Sequence, residues 1–139
     1  MSADVMTRSQ KMAQAAYARV QERSKQSAKY RKEYRSFARE FPTLVHQCGL
    51  AQAMAFALAK KAQQGDYADD LAAVLKSAGH DTGIGAKGLA EETRKPGVVH
   101  YVRLSRDALD VAVWLKRYVE ALFDDKKTPE TAAGPQEQS

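Results

Sequence analysis

The sequence has a single cysteine, Cys48, so an internal disulfide bond is excluded. One thiol is typical of a protein from a reducing compartment, and the opening residues, MSADVMTRSQ, lack the apolar segment of a signal peptide. No apolar run approaches the ~18–20 residues that a membrane span requires, which argues against a membrane partner. We therefore expect a cytoplasmic protein.

Groups for catalysis or metal binding are equally scarce. His46, His80 and His100 are widely separated and form none of the paired spacings that bind metals. His46 and Cys48 are two residues apart, so on a helix they do not face each other as a base and a nucleophile would. The segment Gly83–Gly88 matches GxGxxG, but a dinucleotide-binding loop requires a preceding strand, and none is predicted there. The sequence predicts no enzyme, no metal site and no cofactor.

Alanines are many and valines few, and the apolar residues recur at helical spacing. The length of 139 residues and the hydrophobic fraction of 44% suit one packed core. We expect an all-α fold, a compact single-domain helical bundle of about five to six helices over residues 1–125. Residues 126–139 are rich in Pro, Gly and polar side chains, and we expect them to form a disordered polar tail.

Capping and breaking residues predict the first helix boundaries. Thr7 and Gln10 form a capping-box signature ahead of a helix over about Arg8–Arg23. A second helix is expected to begin near Ser27. Because proline lacks a backbone N–H, Pro42 is expected to kink this helix or to start a new one.

The segment over about Leu50–Gln64 is apolar on nearly every side, so we expect it to be the central apolar helix of the bundle. Three aspartates follow it closely. Negative charge is favourable near a helix N-terminus, so Asp66, Asp69 and Asp70 are expected in the first turn of the next helix.

The glycine-rich segment Gly79–Gly97 is predicted to be a long connection with one helical turn around Leu89. The last helix is expected to start at Ser105. Some apolar side chains of this helix lie off its core stripe among charged residues, as protein-contact surfaces often do. The candidate partner-binding residues are Leu109, Val113, Trp114, Lys116 and Arg117.

Positive charge is concentrated near the amino terminus. Residues 1–39 hold ten Lys/Arg against three Asp/Glu, a net charge of +7, whereas the whole chain carries +5. A basic segment on a near-neutral body is typical of a face that binds a polyanion. A solubilised helix surface explains the charge pattern equally well.

On the second helix, the basic side chains and the aromatic side chains occupy different arcs. Tyr30, Tyr34, Phe37 and Phe41 share a narrow arc at helical spacing, which favours a core stripe over a set of base-stacking platforms. The basic residues therefore point outward, where we expect contacts to phosphates and little sequence reading.

The first helix is expected to extend this basic track. At about 100° per residue, Ala13, Tyr17 and Val20 share the face expected in the core, and the basic residues fall on another. Arginine suits phosphate binding because its planar guanidinium donates two hydrogen bonds. The candidate nucleic-acid-binding residues are Arg8, Lys11, Arg19, Lys29, Arg31, Lys32, Arg35 and Arg39.

Three stretches of the chain, in order, carry a family resemblance. The first, Lys29–Pro42, is a basic helix that runs into a hydrophobic-Pro step; the second, Leu44–Phe56, contains a Gly-Leu-x-Gln-Ala helix start followed by Phe. The third comprises Tyr101–Leu109 and Trp114–Tyr118, with a Tyr–Leu–Ser lead-in and a Trp-Leu-Lys-Arg ending. Together they resemble the small alpha-helical subunit of the type III-B CRISPR effector, the Cmr complex, over about residues 7–124.

The resemblance implies a non-catalytic subunit of an RNA-guided complex in antiviral defence. In this family several copies stack in the inner filament, beside the backbone filament that holds the guide RNA. The implied partners are the guide RNA and target RNA, further copies of the chain, the backbone subunit and the large polymerase-like subunit. The alternative is a protein-only scaffold or adaptor whose basic face binds acidic protein partners.

Overall fold

The computed structural model describes residues 5–59, 62–80, 83 and 85–123, and its secondary structure over these residues is helical, without strands. The helices are α1 (Arg8–Arg23), α2 (Ala28–Cys48), α3 (Leu50–Ala59), α4 (Ala62–Ser77), α5 (Gly85–Thr93) and α6 (Val98–Leu122). The prediction of an all-α bundle with five to six helices is thereby confirmed over the described part of the chain. The predicted tail, residues 126–139, lies outside the described residues.

The predicted starts of α1 and α2 are confirmed by their capping bonds. The Gln10 N–H donates to Thr7 Oγ1 at 3.0 Å, and the Thr7 N–H donates to Gln10 Oε1 at 2.8 Å, which completes the capping box of α1. At the start of α2, the Tyr30 N–H donates to Ser27 Oγ at 3.2 Å. Local hydrogen bonds thus satisfy free backbone N–H groups at both helix starts.

Of the two expectations for Pro42, the start of a new helix is wrong. Helix α2 is 21 residues long and includes Pro42. It ends before Gly49, which has a φ of +86°. Proline removes one backbone hydrogen bond, but Phe37, Phe41 and Val45 are buried on both sides of it along one stripe. Packing of this stripe therefore keeps the helix continuous.

The central helix is α4, which packs against each of the other five, and not the alanine-rich α3. Helix α3 contacts α2, α4 and α5, and it leaves Ala55, Leu58 and Ala59 exposed. Alanine is small enough to lie at a surface without exposing much apolar area, so an apolar composition did not require full burial. The more polar α4 is central because it buries apolar side chains such as Leu71 and Leu75, while its aspartates bond to neighbouring helices.

The long connection predicted over Gly79–Gly97 contains a nine-residue helix, α5, whose Ala86, Leu89 and Ala90 are buried. The last helix, α6, begins at Val98 and not at Ser105, directly after Gly97 with its φ of +118°. The earlier start adds nearly two turns to α6.

The joint between α2 and α3 explains part of the Gly-Leu-x-Gln pattern. The Ala51 N–H, in the first turn of α3, donates to the Tyr101 hydroxyl of α6 at 3.1 Å. A Cβ on Gly49 would lie 3.2 Å from that hydroxyl, and the positive φ also favours glycine. Gly49 and Tyr101 therefore act together to orient α3.

No helix within the described residues combines the length and the apolar character of a membrane span.

Candidate nucleic-acid interface

The outer face of α2 carries the candidate phosphate contacts. Its opposite face buries Tyr34, Phe37 and Phe41 at 0–1% exposure, which confirms that these rings belong to the core. Outward, Lys32, Arg35 and Arg39 line a shallow groove of about 570 Å³ together with Ser36 and Glu40. The α2 basic face consists of Lys29, Arg31, Lys32, Arg35 and Arg39.

The cations of the α2 basic face differ in how far they are engaged within the chain. Lys29 and Lys32 are exposed and have no ion-pair partner among the described residues. Arg31 donates to the Gln26 carbonyl at 2.6 Å. Arg39 donates two hydrogen bonds to the Glu120 carboxylate of α6, at 2.6 and 2.9 Å, and these bonds raise its pKa. Charge available to a ligand is therefore greatest at the two lysines.

The α1 arginines expected to extend this track both have partners within the chain. Arg19 Nε lies 2.8 Å from Asp70 Oδ1, and Arg8 pairs with Asp107, so both guanidinium groups bind carboxylates of the same chain. Their side chains are still 49% (Arg8) and 41% (Arg19) exposed. Lys11 is exposed on the outer side of α1.

Arg8 and Arg19 reach these carboxylates because the buried stripe of α1 lies one residue away from the predicted stripe. The buried residues are Met12, Ala16 and Val20, whereas Tyr17 is 40% exposed and packs edge-on against Tyr118 at 5.4 Å between ring centroids. Rotating the stripe by one residue brings the two arginines to its edge, within reach of the buried carboxylates.

Asp70 is the polar centre of the core, a role that its expected place in a first turn did not suggest. It is fully buried and accepts hydrogen bonds from Arg19, from Arg23 Nε and Nη2 (both 3.0 Å) and from the Tyr34 hydroxyl (2.5 Å). Burial and the neighbouring Asp70 charge raise the pKa of Tyr34 well above its ordinary value, so the hydroxyl remains a donor. One carboxylate thus links α1, α2 and α4.

The other two aspartates of α4 also bond to neighbouring elements. Asp66 accepts from the Tyr30 hydroxyl at 2.5 Å, and Asp69 accepts from the Ala86 N–H at 2.7 Å, in the first turn of α5. Because α4 begins at Ala62, the prediction that these residues form its first turn is wrong. The signal that sequence reasoning missed was the excess of arginine on α1 opposite an acidic α4.

A second polar cluster joins α1 to α6. Asp107 is only 5% exposed; its Oδ2 lies 2.6 Å from His80 Nε2 and also accepts from Arg8. Burial alone raises the pKa of Asp107, but the hydrogen bonds from His80 and Arg8 outweigh it and leave the pKa below its ordinary value. His80 therefore serves as a partner of a buried carboxylate.

The remaining groups with chemical potential are dispersed. His46 and Cys48 are both exposed near the end of α2, and His100 lies 3.1 Å from Glu92 Oε1. Over the described ranges, no three His, Cys, Asp or Glu side chains are grouped to hold a metal ion.

The candidate partner-binding residues lie along the outward side of α6. Val113 is 39% exposed, Lys116 and Arg117 are exposed, and Leu109 and Trp114 are half-buried. A groove of about 470 Å³ runs between α1 and α6 beside Trp114, whose ring stacks on Tyr118 at 5.8 Å. The sequence reasoning missed an exposed extension of this surface, made by Val98, Val99 and Val102, because it placed the start of the helix too late.

Comparison with known proteins gives one consistent result. Residues 8–122 match the model of the family described as CRISPR-associated protein (Cas_Cmr5). The Thermus thermophilus protein named CRISPR system Cmr subunit Cmr5 is 40% identical over 120 residues, which cover 86% of this chain and 98% of that protein. The crystal structure of a CRISPR-associated Cmr5 family protein from Thermus thermophilus superposes with a TM-score of 0.76 at 40% identity, over 86% of this chain and 100% of the other. These matches confirm the resemblance seen in the sequence: the chain belongs to the Cmr5 family of CRISPR-associated proteins.

Proposed function

We propose that this chain is a non-catalytic small subunit of a type III-B CRISPR ribonucleoprotein, the Cmr complex, and that it contacts the guide–target duplex through phosphates on the α2 basic face. Family membership supports the assembly, since the 40% identical relative is named a Cmr subunit. The single observation that carries the RNA contact is the pair Lys29 and Lys32, exposed and unpaired within the described chain beside a groove lined by Arg35 and Arg39.

A phosphate contact fits this surface better than base reading does. The rings that would stack bases are buried on the opposite side of α2, so the exposed groups are ammonium and guanidinium donors. Such donors bind the backbone of any sequence and fix its position without selecting bases. The proposed contact is therefore independent of sequence and strongly dependent on salt.

The α1 residues enter the proposal in a reduced role. Arg8 and Arg19 already bind Asp107 and Asp70, so they add little net charge to an RNA site, although both side chains remain partly exposed. Lys11 is the α1 residue whose charge is available on the outer side of that helix. The centre of the RNA contact is accordingly placed on α2.

The subunit is proposed to act in the cytoplasm, stacked with further copies of itself in the inner filament of the complex. The backbone subunit and the large polymerase-like subunit are its other protein partners, and the guide RNA and target RNA its nucleic-acid partners. The partner face on α6, comprising Leu109, Val113, Trp114, Lys116 and Arg117, is proposed for contacts with the other subunits of the complex.

The test is a charge reversal of the two available lysines, Lys29→Glu with Lys32→Glu. The assembled complex should capture target RNA less well at physiological salt, and the affinity of the complex should fall less steeply with added salt because phosphate contacts are lost. The measurement is a filter-binding titration of labelled target RNA at several salt concentrations.

The matched control is Lys76→Glu with Lys87→Glu, which changes the net charge equally on exposed lysines of α4 and α5. Unchanged RNA capture by the α2 variant, or an equal loss in the control, contradicts a contact at α2. If the α2 variant no longer enters the complex while the free subunit keeps its RNA affinity, the protein-only scaffold is the better account.

A further inference from the structure

The outward face of α6 has the spacing of a helix-packing surface. Residues 99, 102, 106, 109, 113, 116 and 120 follow one another at alternating intervals of three and four, the pattern by which one helix packs along another. The α6 seam comprises Val99, Val102, Arg106, Leu109, Val113, Lys116 and Glu120. The core-facing residues of α6, such as Val111 and Leu115, lie on the opposite side and are already buried.

Three of the four apolar members of the seam are exposed, and the fourth, Leu109, is half-buried. Val99 is 73% exposed, Val102 49% and Val113 39%, and the adjoining Val98 is 78% exposed. A single exposed valine needs no explanation, but aligned ones form a patch of the kind that marks an interaction site. Phosphate groups gain nothing from contact with apolar side chains, so this patch favours a protein ligand over RNA.

Three guanidinium groups and one exposed carboxylate, Asp110, flank this apolar line, so positive charge predominates there. Arg103, Arg106 and Arg117 are exposed and have no ion-pair partner within the described part of the chain. At the far end, Glu120 is engaged with Arg39 of α2. A ligand that buries the valines must also meet these guanidinium groups, so it must carry carboxylates beside its own apolar stripe.

Next to the seam lies a groove in which a large side chain of a partner can insert. The groove of about 470 Å³ between α1 and α6 is lined by Arg8, Ser9 and Met12 on one side and by Asp110, Val113, Trp114 and Arg117 on the other, so its charged lining consists of two guanidinium groups and one carboxylate. Trp114 is held against Tyr118 by stacking, so the wall of the groove is already in place. Interface anchors commonly insert into grooves of this kind.

We infer that the α6 seam receives an amphipathic helix of another protein subunit, one whose apolar stripe is flanked by Asp or Glu. This inference rests on the proposed function, since it requires a multisubunit assembly, and it specifies the chemistry of one partner. A second copy of α6 is disfavoured because it would bring Arg103, Arg106 and Arg117 against like charges.

The first test replaces Val102 with glutamate, alone and together with Val113→Glu, in a complex reconstituted from this chain and the subunits encoded beside it. Because both valines are exposed, the free variants should fold normally, as checked by circular dichroism. Incorporation, measured by native mass spectrometry, should weaken roughly 10–100-fold, whereas the control Val5→Glu, at a 75% exposed valine before α1, should leave it unchanged. Normal incorporation of the double variant would overturn the inference.

The second test identifies what lies on the seam. Benzoylphenylalanine in place of Val102, with the same residue in place of Val5 as a control, is photo-crosslinked in the assembled complex. The expected product is a peptide from a helix of another subunit that contains Asp or Glu. A crosslink to RNA, to another copy of this chain, or to a non-helical or basic segment overturns the inference.

The experiments can reject the RNA contact at α2 and the partner helix on the α6 seam independently of each other. Loss of incorporation by the Val102 variant together with normal RNA capture by the Lys29 and Lys32 variant retains the seam and rejects the RNA contact. The reverse pair of results retains the RNA contact and rejects the seam.

Discussion

The helices α1 and α2 each present a row of basic side chains in the sequence, and the fold uses the two rows differently. On α1, Arg8 and Arg19 reach into the bundle and bind buried carboxylates. On α2, Lys29 and Lys32 remain exposed without ion partners among the described residues. The same charge thus stabilises the fold in one helix and is available for binding in the other.

The difference follows from the size of the apolar stripe. Helix α1 buries Met12, Ala16 and Val20, two of which are small, so apolar contact provides limited attachment and arginine–carboxylate pairs supplement it. Helix α2 buries large rings such as Phe37 and Phe41, which provide most of its attachment, and its Arg39 adds an ion pair with Glu120 of α6. A positive residue on a helix whose buried side chains are small is therefore a poor indicator of a ligand site.

The largest effect is expected from Asp70→Asn, which removes the buried charge but leaves Arg19 and Arg23 in place. Breaking a buried charged cluster by removing one partner typically destabilises by ~3–5 kcal/mol, so the free energy of unfolding should fall by an amount of that order. Urea denaturation monitored by circular dichroism measures it. The control, Asp110→Asn, alters an exposed carboxylate and should change stability by less than about 0.5 kcal/mol. Equal effects in the two variants would mean that α1 is not held through Asp70.

An intermediate effect is expected at the other attachment of α1, where Asp107 meets Arg8 and His80. The pKa of Asp107 is lowered in the folded state, so its contribution is present above the unfolded pKa of about 3.9 and is lost as pH falls through the folded pKa. Asp107→Asn should therefore cost about 1–3 kcal/mol at pH 7, and its difference from the natural chain should shrink in strong acid.

Urea denaturation at pH 7, 5 and 3 measures this dependence, with Asp110→Asn again as the control. A stability difference between the Asp107→Asn chain and the natural chain that stays constant from pH 7 to pH 3 would show that the carboxylate charge is not what Arg8 and His80 stabilise.

Sequence patterns were sufficient for much of the fold, and the reasons are local. The Thr7 and Ser27 caps, the ring stripe of α2 and the all-α class each depend on neighbouring residues, whose spacing is visible in the chain. The continuity of α2 through Pro42 was not visible, because packing from other helices outweighs one missing hydrogen bond.

The site was less predictable than the fold. The outward direction of Lys29 and Lys32 followed from helical spacing, but the engagement of Arg8 and Arg19 depended on Asp107 and Asp70, which are distant in sequence. Periodicity gives the face of a helix and does not give the partner of a long side chain. The late start predicted for α6 hid the exposed valines for a related reason, since Gly97 rather than a capping side chain precedes the helix.

The smallest effect is expected from single neutral substitutions that compare the contributions of α1 and α2 to RNA affinity. Lys32→Met on α2 should lower the affinity of the complex for target RNA and reduce the slope of log affinity against log salt by about 0.7–0.9, the value for one lost phosphate contact. Lys11→Met removes an exposed lysine from α1 and should reduce the slope less, because the α1 residues have only a reduced role in the proposed contact. Salt titrations of target-RNA binding by the two complexes measure both slopes. Equal reductions would restore the continuous track across α1 and α2 that the sequence suggested, and no reduction in either would leave the lysines of α2 with a role in solubility alone.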